Sequence, residues 1–279
     1  MDDAQERKQR ELHLGIVLSP DAKLWRYLDF PKLISLLETS SLYLCRSDLF
    51  RDKYEGSFTK SSVKYREDAW RKNMPHMPDE HFSHFAEMHR FRMQEERKNF
   101  YINCWHMNEH ESAAMWKLYG IEGQSIAIQS SYRTLKNLLP VNQSASGQPD
   151  EGHIDIGLVQ YLDYENDPMP QIYSFDPFLR KRSSFSHEKE VRLIYQAPMR
   201  SGSYEKNLDG KYEFKPSDGE PVTRELGVSF EVDLSKLIQN LYISPEADNW
   251  FKELVESVLC RYGLRIGVSQ SNLNDSPVY

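Results

Sequence analysis

The stretch Phe185–Tyr195 reads FSHEKEVRLIY and joins two acidic residues to an apolar run. Residues two apart in a strand lie on the same face of the sheet. Glu188, Glu190 and Arg192 are therefore expected on one face, and the apolar residues between them on the other. The polar face has two interpretations. It is either the solvent side of a half-buried strand, with Glu190 and Arg192 in a surface ion pair, or the wall of a cleft.

Strand-like and helix-like segments alternate along the chain without a regular βαβ repeat. The apolar run Phe100–Met107 predicts a strand, and leucines at helical spacing predict a helix that begins after Asp29. Asp29 is expected to cap this helix, because Pro31 suits its first turn. The sequence thus predicts an α+β fold with a mixed or mainly antiparallel central sheet and flanking helices.

The chain is expected to contain one domain. Residues 1–12 are interpreted as a polar N-terminal leader, and residues 13–279 as a single α+β domain. A charged helical insertion is predicted around 61–98, with a break near 74–78 where the sequence reads MPHMP.

Composition excludes several classes of site. The net charge is −7, so the overall charge gives no argument for nucleic-acid binding. Cys45, Cys104 and Cys260 are far apart and form no CxxC motif, which argues against a zinc site and for a reducing compartment. The charged N-terminus and the lack of a membrane-length apolar run predict a cytoplasmic protein with no membrane partner. No dinucleotide fingerprint or phosphate loop is present.

Two aromatic segments are candidate ligand contacts. Alternation in the Trp25-Arg26-Tyr27 strand sends Arg26 opposite to its neighbours, towards either a cleft or the solvent. Trp116 and Tyr119 are three residues apart on a predicted helix, so their rings share one face. That face is either part of the core or a wall that stacks a nicotinamide, an adenine or a base.

Acidic and aromatic residues interleave in the loop Asp48–Gly56. Loops that follow strands often carry functional groups. We expect Asp52 and Glu55 to shape a site, with Phe50 and Tyr54 packed beneath them. The alternative is an ordinary polar loop anchored by its two aromatic residues.

Seven short segments occur in a characteristic order. They are Trp25-Arg26-Tyr27, Ser47 through Gly56, Asn103-Cys104-Trp105, Met115 through Gly120, Gly123 through Ile128, Val159-Gln160-Tyr161 and Glu188 through Arg192. This combination resembles the bacterial domain-of-unknown-function family 2971, from about Leu24 to Ser271. One departure concerns the acidic loop, which reads Arg51-Asp52-Lys53-Tyr54-Glu55 where the family usually has Asn-Asp-Pro-Phe-Glu. The family name implies no activity.

An arginine-bearing strand, the helix that follows it and a late Glu-x-Glu strand are similar to ADP-ribosyltransferase folds. The resemblance implies NAD as cofactor and small-molecule partner, cleaved through an oxocarbenium-like state that a carboxylate stabilises. It implies Glu190 as the catalytic acid and Glu188 as the acid that orients the acceptor. The implied cofactor-binding residues are Arg26, Tyr27, Trp116, Tyr119, Arg192 and Ser130, with Ser131 as an alternative to Ser130.

Three functions follow as hypotheses. The first is a NAD-dependent ADP-ribosyltransferase or NAD-cleaving enzyme of bacteria, a toxin or anti-phage effector whose acceptor is protein or nucleic acid. The second is a metal-dependent phosphodiesterase or nuclease with Asp48, Asp52, Glu55, Glu188 and Glu190 around a divalent ion. The third is a non-catalytic module that senses a ligand or protein through exposed Phe50, Tyr54, Trp105 and Trp116. Arg51 and Lys53 interrupt the acidic loop and would repel a cation, so no metal ligands are assigned.

Overall fold

A computed structural model of the chain describes residues 19–121, 123–139, 152–169, 173–198, 201–219 and 224–277. Its strands are β1 (Lys23–Asp29), β2 (Ser41–Arg46), β3 (Phe100–Met107), β4 (Ser125–Ser131), β5 (His153–Leu158), β6 (Gln160–Leu162), β7 (Arg180–Arg182), β8 (Glu190–Gln196), β9 (Gly202–Lys206), β10 (Tyr212–Pro216), β11 (Gly227–Glu231), β12 (Asn240–Ile243) and β13 (Val268–Gln270). Its α-helices are α1 (Phe30–Thr39), α2 (Lys60–Asn73), α3 (Asp79–Glu96), α4 (Ala113–Tyr119), α5 (Tyr132–Leu138), α6 (Leu234–Leu237) and α7 (Asn249–Arg261). The leader predicted at 1–12 lies outside the described residues.

The main sheet forks at β3. One edge of β3 pairs with β8, which in turn pairs with β5. The other edge pairs with β2 near Ile102 and with β1 near His106, and these two strands lead into separate arms of the sheet. One arm continues from β1 through β4 and β12 to β13, and the other from β2 to β11. Among the described strands of this sheet, only β12 and β13 pair in parallel, which confirms the α+β class with a mixed, mostly antiparallel sheet.

Helix α1 forms as its sequence predicts. The side chain of Asp29 accepts a hydrogen bond from the backbone N–H of Lys32, and Pro31 occupies the first turn. Leu33, Leu36 and Leu37 form its buried face. The predicted helical stretch near 61–98 is also present as α2 and α3, which are separated at residues 74–78.

The two faces of the sheet bury different residues. Leu24, Leu28, Val191 and Leu193 belong to the large apolar core, which packs against helices including α7. The opposite face carries two smaller groups of apolar and aromatic residues and, beside them, Glu190 and Arg192. The alternation predicted for β8 is therefore correct, but its polar face is buried. Neither half-exposure nor a surface ion pair describes Glu190 and Arg192.

The position predicted for Glu188 is wrong. Glu188 lies in a 3-10 turn, Ser183–Glu188, and not on the strand. Lys189 takes a left-handed conformation (φ 41°) and joins this turn to β8. The segment 201–219 contains the hairpin of β9 and β10, in which polar and aromatic residues alternate.

Candidate functional site

Arg192 is the centre of a buried ionic network. Its Nη1 and Nη2 donate to the two carboxylate oxygens of Glu55 at 2.5 and 2.9 Å, and its Nε donates to Glu190 Oε2 at 2.6 Å. Nη1 also donates to the carbonyl oxygen of Phe178 at 2.7 Å. Arg192 is 0% exposed, so these partners replace all contact with water. A bidentate pair of this kind fixes direction as well as charge.

Lys181 joins the two acids of the opening stretch. Its Nζ donates to Glu190 Oε1 at 2.6 Å and also to Glu188 Oε2. Burial alone would lower the pKa of Lys181. The charge of Glu190 and the hydrogen bonds to both acids outweigh burial and raise this pKa. The ammonium group therefore stays charged between the two carboxyl groups, and it also lies over the ring of Phe185.

The two acids differ in pKa. Burial, together with the neighbouring Glu190, raises the pKa of Glu188 to about 7. Burial would also raise the pKa of Glu190, but Arg192 and Lys181 hold it well below its ordinary value. The pair thus combines a fixed anion with a carboxyl group that exchanges a proton near neutral pH, a division typical of acid–base sites.

Glu188 is itself 5% exposed, but a hydrogen-bond partner of its side chain lies at the surface of the protein. Its Oε1 accepts a hydrogen bond from the hydroxyl of Tyr119, at 3.0 Å, and Tyr119 is 44% exposed. Its carbonyl oxygen accepts from Nδ1–H of buried His106 at 2.6 Å. Glu190 is only 3% exposed, and its backbone N–H donates to the hydroxyl of Tyr161. Glu188 and Tyr119 therefore form the reachable side of the network.

The acidic loop delivers Glu55 to Arg192. Gly56 has φ of +67°, a conformation that other residues rarely adopt. A Cβ atom at Gly56 would lie 2.3 Å from the ring of Phe178. The turn after Glu55 therefore requires glycine for two reasons. Glu55 is thereby held against Arg192.

The other loop residues lie near Arg182, which follows Lys181. Arg182 donates to Asp52 Oδ1 at 2.9 Å and stacks over the ring of Tyr54 at 4.6 Å. Tyr54 is 42% exposed and contacts Tyr164, so it does not pack beneath the loop as expected. Phe50 packs against the buried aromatic group that includes Phe178. Asp52 and Tyr54 therefore border the network without joining it.

The aromatic residues near the network form a supporting wall. Trp25, Tyr27 and Trp116 are buried, and the rings of Tyr27 and Trp116 meet edge to face at 5.0 Å. The hydroxyl of Tyr27 accepts from the backbone N–H of Ser112, and Trp116 Nε1 donates to Glu111. These contacts fix helix α4, whose Tyr119 reaches Glu188. The structure thus brings together Glu188, Glu190, Arg192, Glu55 and Tyr119, with Tyr27 and Trp116 behind them.

Two predicted site residues lie on the other face of the sheet. Arg26 alternates with Trp25 and Tyr27, so it shares its face with Leu24, and its guanidinium lies 6.0 Å from the centre of the Trp105 ring. Ser130 pairs with Leu24 across β1 and β4 and is fully buried. The sheet separates both side chains from Glu190, which corrects their assignment as cofactor contacts. Ser131 caps helix α5.

The acids proposed for a divalent metal are dispersed among basic partners. Asp48 pairs with Arg46, Asp52 with Arg182, and Glu55 with Arg192. Within the described ranges, no group of three histidine, cysteine, aspartate or glutamate side chains has an arrangement that could hold a metal ion. This arrangement gives the phosphodiesterase hypothesis no support. For the sensing hypothesis, Trp105 and Trp116 are 1% and 5% exposed, so the expected exposed aromatic surface is absent at these two residues.

Sequence reasoning missed Lys181. This residue lies on the short strand β7, parallel to β6. The run Arg180-Lys181-Arg182, shortly before Glu188, was a usable signal, because buried acids need nearby cations. Tyr161 and His106 gave no comparable signal.

Comparison with protein-family models, curated proteins and solved structures finds no match for this chain. The resemblances to family 2971 and to ADP-ribosyltransferases therefore stay predictions. Among the described helices, none has the length and apolar character needed to cross a membrane.

Proposed function

We propose that this chain is an enzyme that cleaves the nicotinamide–ribose bond of NAD, by hydrolysis or by transfer of ADP-ribose to an acceptor. The observation that carries the proposal is the pair Glu188 and Glu190, bridged by Lys181, with pKa values displaced in opposite directions. Cleavage of an N-glycosidic bond develops positive charge on the ribose. A fixed anion with a proton-exchanging carboxyl group beside it suits that chemistry.

The geometry supports exchanging the roles first assigned to the two acids. Both oxygens of Glu190 already accept hydrogen bonds from cations, which leaves it the role of a fixed charge. Glu188 lies behind the part-exposed Tyr119, so a ribose hydroxyl can replace the tyrosine hydroxyl on Oε1. Glu188 then contacts the substrate, and Glu190 and Lys181 act as positioning residues.

A cation for the pyrophosphate is available beside this pair. The side chain of Arg182 is 37% exposed and is held between Tyr54 and Phe185. Its guanidinium suits phosphate oxygens, and the exposed rings of Tyr54 and Tyr119 offer stacking surfaces. In this account Arg182 replaces Arg26 as the group that binds the pyrophosphate.

Nicotinamide release from NAD, quantified by chromatography, tests the proposal. Wild type should release nicotinamide, and Glu188→Gln should slow release by about 100-fold or more, the usual cost of removing a general acid–base group. Glu256→Gln changes an exposed acid on α7 and should act as wild type. No release by folded wild-type protein, or unchanged release by folded Glu188→Gln, would contradict the proposal.

A ligand-sensing function is the second candidate. The charges of Glu55 and Glu190 are neutralised by those of Lys181 and Arg192 within the network. These four side chains therefore leave no uncompensated charge for a substrate, which favours binding without catalysis. A sensing module would be stabilised by NAD in thermal melting while the nicotinamide stayed attached. Nicotinamide release and thermal melting with NAD, measured together, therefore separate the two candidate functions.

A further inference from the structure

A cavity of about 720 Å³ lies between helix α2 and the segment 166–169. Tyr65, Arg66, Ala69 and Trp70 line it from the helix, and Pro168 and Met169 line it from the segment. Its volume is within the range of small-molecule sites, roughly 300–1,000 Å³. None of its lining residues belongs to the network around Glu190.

The walls of the cavity are tied together by hydrogen bonds. The backbone N–H of Met169 donates to Ser62 Oγ at 2.7 Å, and Ser61 Oγ donates to the carbonyl oxygen of Asp167 at 2.7 Å. Ser62 is in turn bonded to Thr59, the residue that caps helix α2. The space is therefore preformed by the fold.

Arg66 differs from the other arginines of helices α2 and α3. Arg71, Arg90 and Arg92 each form an ion pair with a carboxylate. Arg66 stacks over the ring of Phe58 at 4.4 Å, donates to the sulfur of Met93, and has no ion pair within the described part of the chain. The carboxylates of Glu67 and Glu96 act on Arg66 from a distance, but their ion pairs are with Arg90 and Arg92. A bound anion would give the half-buried guanidinium a direct partner.

We propose that this cavity binds a small organic anion with a flat apolar body. Trp70, Met169 and Pro168 contact the body, and Arg66 binds the carboxylate, sulfonate or phosphate. The inference does not rest on NAD cleavage, because the two sites share no residue.

Two fluorescent probes with the same aromatic body test the site. 1-Anilinonaphthalene-8-sulfonate carries an anion, and N-phenyl-1-naphthylamine does not. The sulfonate should bind wild type at one saturable site, and Arg66→Gln should weaken it roughly tenfold or more, the effect of one charge-assisted hydrogen bond. Arg66→Lys should restore part of this affinity. Binding of the neutral probe should be the same in wild type and Arg66→Gln.

Another cavity, lined in part by β10, provides the matched control. It measures about 640 Å³, and Arg224, Phe91 and Tyr212 are among its lining residues. Arg224→Gln should leave sulfonate binding unchanged. The proposal is wrong if the loss falls on Arg224→Gln, if folded Arg66→Gln binds as wild type, or if the sulfonate binds without saturation. Ala69→Phe, which fills the first cavity, should abolish binding of both probes if it folds, and the Arg66 comparison decides the matter if it does not.

Discussion

Arg192 and Arg26 lie on opposite faces of one sheet, and their surroundings differ. Against the effect of burial, the carboxylates of Glu190 and Glu55 raise the pKa of Arg192. Arg26 contacts the ring of Trp105, has no ion pair within the described ranges, and has its pKa lowered by burial to about 10. Arg192 is fully buried and Arg26 is partly buried, and the carboxylate partners of Arg192 are what allow it to organise a site.

The largest expected effect follows from removing a partner of Arg192. Glu55→Gln keeps the size of the side chain and removes its charge, leaving the buried guanidinium undercompensated. We expect a loss of about 3–5 kcal/mol in the free energy of unfolding, measured by urea denaturation. Arg26→Met removes a cation that has no such partner, so its stability should equal or exceed that of wild type. An equal loss in both variants would break the comparison between the faces.

Substitution in the turn that positions Glu55 should lower the free energy of unfolding almost as much as Glu55→Gln. Gly56→Ala places a Cβ atom against Phe178 at a positive φ, so we expect a loss of about 3 kcal/mol in unfolding free energy. Gly210 also has a positive φ, of 75°, but nothing within 4 Å of the added atom. Gly210→Ala should therefore cost only about 1 kcal/mol. If the two variants melt alike, contact with Phe178 does not constrain the loop.

The raised pKa of Glu188 should make the free energy of unfolding depend on pH. The pKa of Glu188 is about 7 in the folded protein, above the ordinary value of 4.5. Folding therefore favours protonated Glu188, whose contribution is complete below pH 4.5 and is lost as pH rises through 7. Glu188→Gln should thus gain stability relative to wild type between pH 5 and pH 8. Urea midpoints at several pH values measure this difference, and a constant difference would contradict the raised pKa.

The smallest expected effect on stability comes from the hydrogen bond between Tyr119 and Glu188. Tyr119→Phe removes the hydroxyl that donates to Glu188, and should cost about 0.5–1.5 kcal/mol in unfolding free energy. Tyr262→Phe is the matched control, because Tyr262 donates to Glu38 at the surface, where water can replace the bond. Its urea midpoint should stay at the wild-type value. A larger loss for Tyr262→Phe than for Tyr119→Phe would contradict the buried character of the network.

Local pattern predicted much of the fold and half of the site. The period of two in β8 separated Glu190 and Arg192 from Val191 correctly, and the capping signals at Asp29 and Pro31 located α1. These features depend on residues that are close in the sequence, so one stretch is enough to predict them.

The remainder depends on distant contacts. Glu55 is 137 positions from Arg192, and no period links them. Alternation correctly placed Arg26 opposite Trp25 and Tyr27, but which face held the acids depended on the pairing of β1, β3 and β8. Sequence pattern alone does not determine that pairing.

Titration of the glutamate side chains by carbon-13 NMR tests the central claim most directly. We expect one carboxyl resonance with a midpoint near pH 7, which disappears in Glu188→Gln, while Glu190 stays ionised far below that pH. Lys181→Met should raise the midpoint of that resonance further, because the ammonium group stabilises the carboxylate of Glu188. A wild-type protein in which every glutamate titrates below about pH 5 would contradict the account.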